Sequence, residues 1–261
     1  DSAFWHAVRE GKAERVAEVL GISEQQHADI EALLPHLNAW RDVQDAEHET
    51  EQWLYAERWQ EQSIDVPTSV EGKWLIWAPE SAASQAQWIV EALTAAGAEV
   101  AVLAWSDRQA TIREGLEEHH DSRGIVSLAA WADRPAEGTR SVPTGLAATL
   151  SLVQVLAEDS MSAKLWIMTQ GAVATSSDDA VFQAEHGLYW GLGQVISLEG
   201  PQYLGAIVDL PRALTPEVDL VSVLGDPAPE DQLALRANRR FVRRLVRRSL
   251  ATGVDRWEPG G

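Results

Sequence analysis

The sequence predicts an α/β fold: a parallel sheet flanked by helices, preceded by an all-helical N-terminal element. Three observations carry this. Short apolar runs with the length of buried strands recur from residue 73 onward. Stretches of helical periodicity separate them, the pattern of βαβ units. Residues 1 to 48 contain only helical patterning.

The stretch from Lys73 to Trp105 organises the rest. Lys73 to Ala78 reads as a buried strand, and Pro79-Glu80-Ser81 breaks it. Ser81 is placed to cap a helix whose apolar face is Trp88, Ile89, Ala92, Leu93 and Ala96. Gly97 sits where a helix commonly stops. Glu99 to Trp105 follows as a second buried-type strand. This is one βαβ unit of a truncated Rossmann-like domain. Its first turn, Ala78 to Gln85, has no glycine, and Glu80 would repel a phosphate. The G-x-G-x-x-G loop that lets a backbone approach a pyrophosphate is absent.

Before this unit, Phe4, Trp5 and Val8 share one helical face, and Val16, Val19 and Leu20 form a second apolar patch. Ser23 with Gln26 suggests a capping box for a third helix carrying Ile30, Leu33, Leu34, Leu37 and Trp40. Pro35 either divides that helix or lies in a first turn. Helices this few enclose little core alone and must pack on something further. Residues 42 to 52 read as a solvated linker or helix end, and Trp53 to Trp59 alternates like a strand. We place the domain boundary after residue 48.

After Trp105, helices are expected over Arg108 to His120, around Leu146 to Leu156, and over Phe182 to Leu198. Strands are expected at Gly124 to Leu128, Leu165 to Thr169 and Ala206 to Leu210, with a loop from Trp131 to Pro143. Thr215 with Pro216 reads as the start of another helix. Leu233 and Leu235 alternate as in a strand. The segment from Arg239 to Arg248 fits either a returning strand or a basic amphipathic helix, with Arg239, Arg240, Arg243, Arg244, Arg247 and Arg248 opposite Phe241, Val242, Leu245 and Val246.

Composition narrows function. The formal charge is −19, from 40 acidic and 21 basic side chains. That opposes binding to nucleic acid or to an anionic membrane. There is no cysteine, so disulfides, thiol catalysis and cysteine metal sites are excluded, in keeping with a cytoplasmic location. No signal peptide or membrane-spanning run is evident. The 12 tryptophans suit core and interface anchors. Both chain ends look cut from a longer polypeptide.

Reductase chemistry needs a tyrosine with a lysine four residues on. Tyr55, Tyr189 and Tyr203 are followed at that distance by Trp59, Gly193 and Ile207. Gly191-Leu192-Gly193 follows a tryptophan rather than a strand and reads as close helix packing. His119-His120-Asp121 reads as a solvated helix end, because adjacent helical side chains diverge. Ser81, Ser84 and His186 show no triad pattern. Asp107 reads as a helix cap.

Several stretches together resemble the structural subdomain of ketoreductases from modular type I polyketide synthases. They are Leu165 to Val173, Trp190 to Pro201, Ala206 to Pro211, Leu233 to Val246 and Tyr55 to Trp59. Residues 1 to 40 resemble the dimerisation element that precedes some of these ketoreductases. The resemblance implies a noncatalytic segment that holds a homodimer and braces a catalytic subdomain in cis, beside neighbouring synthase domains. That subdomain would use NADPH to reduce a β-ketoacyl group on acyl carrier protein; this segment would bind no cofactor or metal. Trp257 to Gly261 matches the lead-in to the catalytic half, so the missing glycine loop, tyrosine and lysine would lie beyond it. It also implies strands for Leu233 to Val246, with Ala237-Asn238 where the family often has a turn glycine. The expected dimer face is Phe4, Trp5, Val8, Val19, Leu20, Leu33, Leu34, Leu37 and Trp40. The expected contact with the catalytic half is Leu233, Leu235, Phe241 and Leu245. Two other readings stay open: a binding enzyme with a degenerate site near Ser81 and Ser84, and an anion-binding adaptor using the terminal arginines.

Overall fold

The structure is a computed structural model that describes residues 2–21, 27–63, 70–132, 142–226 and 230–248. The chain divides into two compact units, Asp1–Glu57 with Leu245–Gly261, and Arg58–Arg244.

The first unit is built on three helices: α1 (Ser2–Arg9), α2 (Ala13–Leu20) and α3 (His27–Trp53). Gly11 and Gly21 both take left-handed φ of +66°, which ends α1 and caps α2. Ala7, Val8, Val16, Ala17, Ile30 and Leu34 form a small closed core, with Phe4, Trp5, Ala13 and Leu37 packed at its edge. Trp5 stacks on Trp40 at 5.8 Å, and Arg41 lies 4.9 Å from the Trp5 ring. Pro35 neither breaks α3 nor starts it. It lies inside a continuous helix, on an exposed position one turn after exposed Glu31, whose carbonyl can turn to water. The polar run after Trp40 is helix as far as Trp53. The suggested Ser23–Gln26 capping box lies outside the described residues.

The second unit is an eight-stranded sheet. Its strands are β1 (Tyr55–Gln62), β2 (Lys73–Trp77), β3 (Glu99–Leu103), β4 (Gly124–Ser127), β5 (Lys164–Gln170), β6 (Leu204–Leu210), β7 (Gln232–Arg236) and β8 (Arg239–Arg247). The unit boundary falls within β1 and within β8. The order across the sheet is β1-β8-β7-β6-β5-β4-β2-β3. From β3 to β7 all pairs are parallel, and β8 turns back antiparallel to β7. The connecting helices are α4 (Ala83–Ala95), α5 (Gln109–Glu117), α6 (Thr144–Glu158), α7 (Gly187–Glu199) and α8 (Leu220–Gly225). α5 packs on α6, and α4 packs on α8. Right-handed crossovers put α5, α6 and α7 on one face of the sheet and α4 on the other, and α8 packs on α4. Both faces are covered, so β4, β5 and β6 are apolar almost without interruption.

Four local expectations are corrected. The segment Glu99 to Trp105 is a sheet edge rather than a buried strand, and Val102 is 64% exposed. Ser81 does not cap α4: a short 3-10 turn, Glu80–Ala82, intervenes. Asp107 does not cap α5; Arg108 holds that position, its amide donating to Ser106 Oγ at 3.1 Å. Thr215 starts no helix either. Asp219 caps α8 by accepting the Ser222 amide at 3.0 Å.

The arginine-rich end is strand, paired with β7 through Leu233↔Val242 and Arg236↔Arg239. The two-residue hairpin loop is Ala237-Asn238, and Ala237, not Asn238, takes positive φ (+50°). The right-handed strand twist asks for positive φ at the first central residue, where glycine is least strained. Replacing Ala237 by Gly should therefore raise stability by up to about 1 kcal/mol, once the entropy gained by the unfolded chain is subtracted. A higher urea midpoint at unchanged m-value is the expected readout.

Candidate functional site

Open parallel sheets bind ligands outside the carboxyl ends of their strands, where the strand order reverses. Here the reversal lies between β2 and β4, since the chain goes first to β3 on one side and then to β4 on the other. β2 ends at Trp77, β4 at Ser127, and both are fully buried.

The two strand ends lead into matching short turns. After Trp77 come half-buried Ala78, buried Pro79 and the Glu80–Ala82 turn, with Ala82 fully buried. After Ser127 come Leu128 and the 3-10 turn Ala129–Trp131, all buried. Ser81 Oγ donates to the Trp131 carbonyl at 2.6 Å, and the Leu128 amide donates to the Trp77 carbonyl at 2.9 Å. These bonds join the two turns across the crevice.

Aromatic rings occupy the surrounding space. Trp77 lies 4.6 Å from Trp105, and Trp131 meets His186 edge to face at 5.0 Å. His186 Nδ1 accepts the Gln170 amide at 3.1 Å, leaving the ring proton on Nε2. The Tyr189 hydroxyl donates to the Ala129 carbonyl at 2.9 Å. Gly145 on α6 has no room for a side chain, because a Cβ would collide with that carbonyl and that hydroxyl. Tyr189 is thus a buried brace in the wall.

Ser81 is committed to Trp131, and Ser84 Oγ donates to neighbouring Gln85 at 2.9 Å. His119, His120 and Asp121 do not converge on a metal. Asp121 pairs with Lys73 at 3.0 Å, and the hydrogen bond from Lys73 holds its carboxyl below the ordinary range. No cluster of three or more potential metal ligands occurs among the described residues. Gly193 is a packing glycine, since a Cβ there would collide with Ile207 of β6.

A second polar cluster closes the carboxyl ends of β6 and β7. Fully buried Asp209 accepts the Thr169 hydroxyl at 2.7 Å and the Ala172 amide at 2.9 Å on one oxygen. Its other oxygen accepts Arg236 Nη2 at 2.8 Å, while Arg236 Nε donates to Asp179 at 2.8 Å. Trp190 Nε1 donates to the Thr169 hydroxyl at 3.1 Å. The network is anchored in β5, β6, β7 and α7. Nothing in the sequence separated Arg236 from the other arginines.

Those arginines are engaged as well. Arg240, only 3% exposed, sends both terminal nitrogens to Asp226 at 3.0 Å. Arg244 is chelated by Glu230, Arg243 donates to Gln232 at 2.8 Å, and Arg239 lies 3.5 Å from Glu61. Arg247 lies 5.8 Å from the Tyr55 ring.

The expected contact residues separate by exposure. Val8 and Leu34 belong to the core of the three helices, while Phe4, Trp5 and Leu37 are half-buried around it. Val19, Leu20, Leu33 and Trp40 are each about half exposed, at 49%, 52%, 54% and 53%. Leu233 and Leu235 lie in the sheet core, Phe241 is buried, and Leu245 is exposed. Exposed apolar residues that the sequence reading did not single out lie on α7: Leu188, Val195 and Leu198. Their signal is that α7 carries apolar side chains on its outer as well as its inner side, with Gln194 and Ser197 polar and Glu199 its one charged residue.

Comparison with known proteins gives the class and then the family. Residues 1–46 match the polyketide synthase dimerisation element domain. Residues 75–245 match the Rossmann fold domain of polyketide synthase extender module SpnB. The chain belongs to this modular polyketide synthase family. It is 33% identical over 284 residues to polyketide synthase GfsB of Streptomyces halstedii, covering 98% of this chain and 5% of that protein. It is 35% identical over 229 residues to pikromycin polyketide synthase component PikAII of Streptomyces venezuelae, covering 80% and 6%. A solved C2-type ketoreductase from a modular polyketide synthase superposes with a TM-score of 0.69 at 33% identity, covering 79% of this chain and 46% of that one. The first ketoreductase of the tylosin synthase gives 0.62 at 27%, covering 81% and 44%. The chain thus spans about one twentieth of its first relatives and under half of these ketoreductases. The second unit is the Rossmann-like ketoreductase structural subdomain. Trp257 to Gly261, which the sequence aligned with the lead-in to a catalytic half, lies outside the described residues.

Acid should loosen the Arg236 cluster. Partial burial opposes ionisation of Asp179, but the Thr175 amide and the Arg236 guanidinium outweigh it and hold the carboxyl below its ordinary range. A depressed carboxylate stabilises the fold above its unfolded-state pKa of about 4 and loses that contribution as pH falls through the folded value. Asp179→Asn should cost about 1–2 kcal/mol at pH 7. The gap from wild type should begin to narrow below the unfolded-state value of about 4 and close as pH falls through the lower folded-state value, in denaturant titrations across that range.

Proposed function

We propose that this chain is a noncatalytic scaffold of a modular polyketide synthase. Its first helices hold two copies together, and its Rossmann-like unit braces the catalytic half of a ketoreductase without binding NADPH. In this reading the catalytic half, supplied elsewhere in the synthase, reduces a β-ketoacyl group on acyl carrier protein.

One observation carries the noncatalytic part: the crevice at the β2–β4 reversal is bridged by Ser81 and packed with aromatic rings. A pyrophosphate needs free backbone amides at a glycine turn. Here Pro79 has no amide to offer, and the Ala82 amide donates to the Pro79 carbonyl at 2.9 Å. Among the described residues, no tyrosine has a lysine four positions on. For the dimer, the match of residues 1–46 to a dimerisation element supports the reading, as do four half-exposed apolar side chains on α2 and α3. Burying the exposed half of each is worth roughly 1 kcal/mol, and a twofold interface counts each side chain twice.

Sedimentation equilibrium of the intact chain should give a dimer. A chain beginning at Leu54 should be a monomer, and Leu33→Ser with Trp40→Ser should weaken association while leaving the sheet unit's thermal transition in place. A monomeric intact chain, or a truncated chain that dimerises equally well, would contradict the dimer role. Incubated alone with NADPH and a β-ketoacyl thioester, the chain should oxidise no NADPH; turnover would contradict the noncatalytic role.

A further inference from the structure

The sheet ends in two edge strands, β1 and β3, and the two edges differ. β1 carries Glu57, Arg58 and Glu61 along its length, and charges of this kind keep an edge from pairing. β3 is Glu99-Val-Ala-Val-Leu103, with its one charge at the first residue. It has no lysine and no proline. Its register with β2 runs unbroken from Glu99 to Leu103, so no bulge turns the edge away. Val102 is 64% exposed.

Alternation along the strand decides which backbone groups are free. The Glu99 amide donates to the Gly72 carbonyl at 3.0 Å, so Glu99, Ala101 and Leu103 turn their amides and carbonyls toward β2. Val100 and Val102 turn theirs outward, past the last strand of the sheet. The sequence around them reads nearly the same in both directions, Ala98-Glu-Val-Ala-Val-Leu-Ala104. An antiparallel twofold pairing centred on Ala101 therefore sets Val100 opposite the partner's Val102, and Val102 opposite the partner's Val100. These are the residues whose outward amides and carbonyls can be exchanged, and two β-branched side chains meet in each pair. Glu99 falls opposite the partner's Leu103, so no like charges are opposed. A shift of one residue would set inward-facing groups against outward-facing ones.

We propose that β3 is a contact between two copies of this chain, paired antiparallel about Ala101 into one continuous sheet. Self-complementarity in both side chains and backbone favours a second copy over an unrelated strand. The contact belongs to the second unit, so it is distinct from that of the dimerisation element, and it does not rest on the bracing role. A strand pair this short is marginal by itself, and a covalent trap reads it without its being the dominant species.

The chain has no cysteine, so an introduced one reports alone. Ala101 meets its own counterpart in a non-hydrogen-bonded pair with Cα atoms about 4.5 Å apart, within reach of a disulfide. Under mild oxidation of the full chain, Ala101→Cys should form disulfide-linked pairs of chains roughly tenfold faster than Glu99→Cys, whose counterpart is Leu103. Adding Val102→Pro removes an outward amide that β2 does not use, and should return Ala101→Cys to the slow rate. Val102→Lys, at an exposed position, should do the same while melting as wild type does. Equal rates for Ala101→Cys and Glu99→Cys would overturn the proposal, as would a fast rate that survives Val102→Lys. Slow amide exchange at Val100 and Val102 that appears only when the catalytic half of the same parent is added, with no disulfide formed, would give the edge to that half and overturn the proposal.

Discussion

A parallel sheet whose strand order reverses opens a crevice at the carboxyl ends of the two strands flanking the reversal, and here that crevice is bridged and packed. Ser81 holds the Trp131 carbonyl, and the Leu128 amide holds the Trp77 carbonyl, so the β2 and β4 turns are tied together. The rest of the second unit follows from this closure. α4 begins after a 3-10 turn rather than at a glycine loop, and α6 enters over Gly145 with no room for a side chain. The Tyr189 hydroxyl reaches Ala129 through that same gap.

Large rings and glycines are interleaved through the sheet for the same reason. Trp74 and Trp166 approach each other at 4.9 Å, and a Cβ on Gly124 would collide with both. Gly205 lies under the Trp166 ring. Each indole needs a glycine beside it, and close packing leaves little latitude for exchange. At the far side of the parallel strands, the Arg236–Asp209–Asp179 cluster takes over. Its charges are paired and hydrogen-bonded, so loss of Arg236 would strand the fully buried Asp209 carboxylate, at a cost of about 3–5 kcal/mol. Both devices stiffen the unit, one at the reversal and one at the ends of β6 and β7.

Much of this was legible in sequence because fully covered parallel strands are apolar throughout. Lys73 to Ala78, Leu165 to Thr169 and Ala206 to Leu210 stand out for that reason. The missing glycine loop at Ala78 to Gln85 was equally plain. What failed was local and depended on tertiary context. Ser81 looked like a helix cap because its distant partner, Trp131, cannot be inferred from spacing. Glu99 to Trp105 looked buried because apolar composition does not reveal position in the sheet order. The arginine periodicity fitted helix and strand alike, and register decided it: Arg240 points inward to Asp226, while Arg239 lies beside Glu61. The outer face of α7 was hidden because a helix with no charge before Glu199 reads as buried.

The most direct measurement of the central claim is an NADPH titration of the intact chain, followed by quenching of tryptophan emission and energy transfer to the nicotinamide. Trp77, Trp105 and Trp131 line the crevice, so a bound cofactor would report there. The expected result is no saturable change up to about a millimolar, a binding free energy weaker than about −4 kcal/mol. Saturation below that concentration would contradict the claim that this Rossmann-like unit is a closed scaffold.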